Sequence, residues 1–134
     1  MNYLCEVAST RPLAIHFSLS NPANSGGPLF VPRVLGPLGL FVRVTVKDER
    51  GRVLVEPPAI RGTWKLDPAD QRSYLALEPG YTFGALFLID DAPTGPGTFR
   101  LLVEYSNAPY TGTPGTPVGK LSFKRELEVL LPSP

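Results

Sequence analysis

The stretch "LFVRVTVKDERGRVLVE", residues 40–56, repeats with a period of two. Leu40, Val42, Val44 and Val46 share one parity; Phe41, Arg43, Thr45 and Lys47 share the other. Successive side chains of an extended chain point to opposite faces, so this alternation predicts a strand with one buried side. "DERG" (48–51) then supplies a tight turn, and "RVLVE" (52–56) returns as the hairpin partner.

The same period recurs on both sides of this hairpin. Tyr3, Cys5 and Val7 share a face, and Leu13, Ile15, Phe17 and Leu19 alternate with His16, Ser18 and Ser20. Residues 74–77 form a short strand stopped by "EPG". Residues 81–89 are apolar on both faces from Ala85 onward, which predicts a central strand covered on both sides. Phe99, Leu101, Val103 and Tyr105 alternate through 98–105, and Leu121, Phe123, Leu127, Val129 and Leu131 share a parity in 120–131. Arg125 falls on that apolar parity, which predicts an edge strand or a bulge that lets its guanidinium reach solvent. A short strand at 29–34 is confined to an edge because Pro32 cannot donate to a ladder. The one helical signal is a single turn in "DPADQRSYL" (67–75), with Asp67 as N-cap and Pro68 at the first helical position.

Seven or eight strands separated by turn residues predict an all-β fold, an antiparallel immunoglobulin-like β-sandwich, with a closed barrel as the alternative. The 134 residues suit a single domain spanning 1–134, long enough to bury a core without staples. Sixteen prolines and 13 glycines cluster between the apolar runs rather than within them, so they read as punctuation and not as disorder. Three connections are long, at 20–38, 56–73 and 106–118, and loops of that length in a compact domain are functional or mobile.

Composition excludes several function classes. The net charge is +1, and the basic residues are scattered, with Lys124-Arg125 the only adjacent pair. That gives no electrostatic footprint for nucleic acid or an anionic membrane. No apolar run approaches the ~20 residues that span a bilayer as a helix. The N-terminus "MNYLCEVASTRP" has neither a basic segment nor a long apolar one, so no signal peptide is expected and the location is read as cytoplasmic, or secreted if a leader is removed. The single cysteine, Cys5, rules out an internal disulfide and leans the same way.

Catalytic chemistry fails on supply. A zinc site needs several histidines or cysteines, and the chain has His16 and Cys5 alone. A Ser–His–Asp arrangement would have to use His16, on the polar face of a strand, and no Gly-x-Ser-x-Gly elbow is present. Cys5 shares the inward parity of Tyr3 and Val7 and reads as a small core residue. "SGGPLF" opens no helix and so is a turn rather than a phosphate cradle. Asp90 and Asp91 are the sharpest candidate pair. Neighbours on a strand face opposite ways, and the downstream Ala92, Pro93, Thr94, Gly95 and Pro96 offer no acidic co-ligands for calcium. They read as a strand-ending corner stabilised by an Asx-type hydrogen bond. The chain is therefore read as a non-enzyme without cofactor or metal.

The binding candidates are aromatic. Tyr110 stands between Pro and Thr in the uncharged loop "SNAPYTGTPGTPVG" (106–119), whose Asn107 and Thr111 are of the kinds that paratope loops use. Folding back over the sandwich end is its structural alternative. Trp64, flanked by Arg61 and Lys65, is a second candidate contact. Partner binding is assigned to Tyr110, Thr111, Asn107, Trp64 and Arg61.

Two family resemblances add to this reading. "ALEPGYTF" and "GPGTFRLLVEY" are similar to segments of the bacterial intracellular proteinase inhibitors, small all-β proteins without disulfides. Over residues 13–106, the order of "SLSNPAN", "GPLGLFVRVTVKDERGRVL" and an L-x-PG turn resembles the non-catalytic β-domain of deuterolysin-type metalloendopeptidases. The His-Glu-x-x-His motif of that family's enzyme domain is absent, so the resemblance implies an accessory module without protease activity. The resulting expectation is a protein-binding module, protease-associated or protease-inhibiting, acting through loops at one sandwich end. The alternatives are a structural subunit that self-associates through an edge strand (119–131 or 29–34) and a small-ligand or carbohydrate-binding sandwich led by Trp64 and Tyr81.

Overall fold

The computed structural model describes residues 1–60, 67–108 and 110–133. They form an all-β, antiparallel structure of two principal sheets. The first has the order β1 (Asn2–Thr10), β2 (Leu13–Ser20), β7 (Thr82–Leu88). The second has the order β11 (Ser122–Leu131), β8 (Gly97–Ser106), β4 (Val42–Lys47), β5 (Val53–Val55). Two small sheets complete the described residues: β3 (Leu29–Pro32) with β6 (Tyr74–Leu77), and β9 (Gly112–Thr113) with β10 (Thr116–Pro117).

The 40–56 stretch folds as its alternation requires. Val42, Val44 and Val46 are buried and Arg43 is exposed. The turn closes because the Asp48 carboxylate accepts the backbone N–H groups of Arg50 and Arg52, both at 2.9 Å, while Gly51 takes a positive φ of 83°. Phe41 lies on the polar parity yet is buried, because it precedes the strand and its ring meets Tyr110.

The core is the space between the two principal sheets. Ile15, Phe17 and Leu19 from β2 face Val44, Leu101, Val103 and Tyr105 from the second sheet, all at most 1% exposed. Phe17 and Tyr105 stack across the gap with ring centroids 5.3 Å apart. On one flank the sandwich is closed by Tyr3 of β1 stacked on Phe123 of β11 at 4.8 Å. A fully buried ring removes some 150–250 Å² from water, so Phe17 and Tyr105 add substantially to the aliphatic core around them.

Several local expectations need correction. The 106–118 connection is not plain loop, because β9 and β10 form a two-residue hairpin within it. The turn in 67–75 is split: Asp67 caps a tight turn through the N–H of Ala69, and Asp70 caps a short 3-10 helix at Gln71–Ser73 through the N–H of Arg72. β11 is an edge strand of its sheet and pairs with β8 without a bulge from Ser122 to Leu131. Arg125 is exposed there, so the edge alone brings it to solvent.

The largest difference concerns β7. Its doubly apolar sequence predicts a central strand, but among the described residues β7 lies at the edge of its sheet, paired with β2 alone. The strand that could have flanked it, β6, pairs with β3 instead. Buried Asn21 fixes that arrangement by donating to the carbonyl oxygens of Gly27 at 3.0 Å and Leu77 at 2.8 Å.

Candidate functional site

The loop candidates are placed by the 106–121 segment. Tyr110 is 8% exposed, and its ring packs edge-on against Phe41 with centroids 5.0 Å apart. Asn107 is fully buried and serves as an internal staple, with Nδ2 donating to the carbonyl oxygens of Tyr110 and Gly119 and Oδ1 accepting from the N–H of Leu121. Both belong to the interior, so neither presents a surface to a partner as the sequence suggested. The physical reason is local: a loop carrying so many backbone polar groups needs an internal acceptor and donor set, and Asn107 is it. Thr111 is exposed. Arg61 and Trp64 lie outside the described residues. Tyr81, the other aromatic of the ligand-binding alternative, is exposed where β7 begins.

The titratable candidates are isolated. Cys5 is buried, and burial pushes its thiol up to about 11, away from the thiolate that nucleophilic chemistry needs. His16 stands on the outer face of β2, with Nδ1 3.9 Å from the Glu6 carboxylate across the strand pair. Among the described residues, no group of three or more His, Cys, Asp or Glu side chains is arranged to hold a metal ion, and no helix is long and apolar enough to cross a membrane.

Asp90 and Asp91 do form the corner after β7, with Asp91 at a positive φ of 59°. The Asx-type hydrogen bond expected of them is not made. Neither carboxylate has a hydrogen bond or an ion pair among the described residues. Both instead line the mouth of a groove of about 660 Å³ between the two sheets. Its floor and walls are apolar: Leu38, Val44, Val55, Phe87 and Ile89. Glu56 adds a third carboxylate, and no basic residue is among its described lining.

β7 forms one wall of this groove and brings two unusual features. Its outward residues Leu86 and Leu88 are 61% and 59% exposed. Its backbone on the groove side is unpaired. The N–H of Ile89 donates to the carbonyl of Leu13 and the N–H of Asn21 donates to that of Tyr81, so the odd-numbered residues of β7 face β2. In an antiparallel pair the alternate residues point away. The N–H and C=O groups of Thr82, Gly84, Leu86 and Leu88 therefore face the open side, without a backbone partner among the described residues. Gly84 is required where it stands, since a Cβ there would sit 2.7 Å from both the Phe17 carbonyl oxygen and the Ser18 Cβ.

The β11 edge of the second sheet is differently built. β11 carries Lys124, Arg125, Glu126 and Glu128, the charged decoration by which sheets deter unwanted pairing. β7 carries no charge from Thr82 to Leu88.

These features define a class: an antiparallel β-sandwich whose uncharged edge strand β7 borders a groove that Pro58, Ala59 and Ile60 line with it and that carries the carboxylates of Glu56, Asp90 and Asp91. No protein-family model, curated protein or solved structure matches the chain.

Proposed function

We propose that this chain is a non-enzymatic protein-binding module whose contact surface is the β7 edge rather than the 106–118 loop. The observation that carries this reading is the exposure of Leu86 and Leu88 on a strand that, among the described residues, is paired on one side only. A strand of that kind is an aggregation liability, which natural proteins blunt with charge, proline or a covering segment unless the edge is used. The immunoglobulin-like type belongs to this proposal. It is supported by the order β1-β2-β7 facing β11-β8-β4-β5, which corresponds to strands A-B-E facing G-F-C-C′ of that sandwich, with β6 drawn away to β3. A protease-associated or protease-inhibiting role is the form of the reading that the sequence resemblances favour.

The test compares the wild type with the double variant Leu86→Glu, Leu88→Glu, both immobilised and exposed to extract of the native host. Both side chains point to solvent, so the variant keeps its melting temperature within a few degrees. Proteins held by the wild type and lost by the variant support the reading, and a retained protease whose activity falls on titration with the chain supports the inhibitory form. An unchanged set of retained proteins removes β7 from the contact surface.

A further inference from the structure

We infer that the groove side of β7 binds an extended peptide segment that adds as a further strand to the first sheet, apolar along its length and cationic at the end beside Asp90 and Asp91. This rests on the proposed binding role of β7 and names the chemistry of its partner.

Three independent features converge on that occupant. The first is the backbone. Thr82, Gly84, Leu86 and Leu88 offer a row of N–H donors and C=O acceptors with strand spacing, the template that β-strand addition uses. The second is the side-chain environment on both faces of the added strand. Alternate residues would point into the groove, against Val44, Val55 and Phe87, and the others would lie beside Leu86 and Leu88 on the outside. A strand apolar on one face only would leave one of these surfaces uncovered. The third is charge. Asp90 and Asp91, where β7 stops, and Glu56 line the groove without an ion pair among the described residues. Lysine or arginine at that end of the incoming segment would meet them, and a carboxylate there would be repelled.

The same charge argument disfavours a second copy of the chain. Two β7 strands paired antiparallel about Ala85 would carry Asp90 and Asp91 of each copy past the partner's Gly80 and Pro79 towards Glu78. That places acid near acid, with no cation in either strand to offset it.

The experiment uses the full chain and a pool of fluorescein-labelled peptides: Lys-Lys followed by positions drawn from Val, Ile, Leu, Phe and Thr, the reversed order with Lys-Lys last, and matching pools with Glu-Glu. Binding is followed by fluorescence anisotropy at low salt, and the site by amide hydrogen exchange. A lysine pool binds at least about tenfold more tightly than its glutamate counterpart. The variant Glu56→Gln, Asp90→Asn, Asp91→Asn loses about that factor while its melting temperature is unchanged. On binding, the amides of Gly84, Leu86 and Leu88 gain protection, whereas those of Phe83, Ala85 and Phe87 are already protected in the free chain. That alternation separates strand addition from side-chain docking. Equal binding of lysine and glutamate pools, protection without alternation, or no binding by any pool each overturns the inference. So does a dimer in light scattering that the Leu86→Glu, Leu88→Glu variant dissolves, since a second copy then occupies the edge. If the pools fail while that variant still loses host proteins, only the strand-addition chemistry falls. If the variant loses nothing, the binding role of β7 falls with it.

Discussion

The Oδ1 atom of Asn107 accepts the backbone N–H of Leu121 at 2.7 Å, across 14 residues of chain. With the two carbonyl groups that its Nδ2 serves, this one side chain ties both ends of the β9–β10 excursion to the end of β8. Replacing Asn107 by Ala leaves three backbone groups unpaired in a buried site. The expected loss is about 2 kcal/mol or more, read as a lower midpoint in urea with an unchanged slope. Asn107→Asp should be as damaging, because the carboxylate cannot donate to the two carbonyl oxygens.

Tyr110 makes a companion prediction. A residue presented to a partner can be truncated with little effect on stability, whereas one packed edge-on against Phe41 cannot. Tyr110→Ala should therefore destabilise the fold by about 3 kcal/mol through the cavity it leaves. A melting temperature within a degree of wild type would return Tyr110 to the surface.

Tyr105 is nearly inaccessible, and its hydroxyl has no hydrogen-bond partner among the described residues. Removing such a group while keeping the ring is near neutral or stabilising, so Tyr105→Phe should equal or exceed the wild type in thermal stability. Burial, and secondarily the neighbouring Tyr3, holds the phenol above its ordinary value. An acid whose folded value is raised contributes stability that is complete below its unfolded value of about 10 and is lost as pH rises above it. The wild type should lose stability on the alkaline side of that value, and Tyr105→Phe should lose less.

Cys5 should behave as a core residue. With the thiol buried and its acidity suppressed to about 11, a disulfide reagent should react with the native protein only at the rate of unfolding, and at once in denaturant. Prompt stoichiometric labelling under native conditions would place Cys5 at the surface.

Asp91 tests the corner. At φ 59° it occupies the left-handed region, which glycine and asparagine enter readily. Asp91→Gly and Asp91→Asn should leave stability almost unchanged, and Asp91→Val should cost about 1–2 kcal/mol. The double change Asp90→Asn, Asp91→Asn should be equally mild, and the wild-type melting temperature should not respond to calcium. A calcium-dependent melting temperature would mean that these carboxylates bind metal.

The period of two in 13–19, 40–47 and 98–105 was enough to establish strands and their buried faces. Every residue of Ile15, Phe17, Leu19, Val42, Val44, Val46, Leu101, Val103 and Tyr105 that parity turned inward is in the core. Alternation is a property of neighbours in the chain, so it is legible without the fold. Which strands lie beside each other is not such a property. It depends on hydrogen bonds between distant segments, and Asn21 joining Leu77 over 56 residues leaves no local trace. For that reason the run at 81–89 could be recognised as doubly apolar but not as an edge, and the same two leucines that suggested a central strand became the exposed surface. For Tyr110 the loop composition leaves presentation and folding back both open, and the approach of Phe41 accompanies the inward ring. The sequence by itself determined the long strands and their buried faces. The tertiary structure alone decided where the sheet ends, because an edge is defined by the strand that does not pair there.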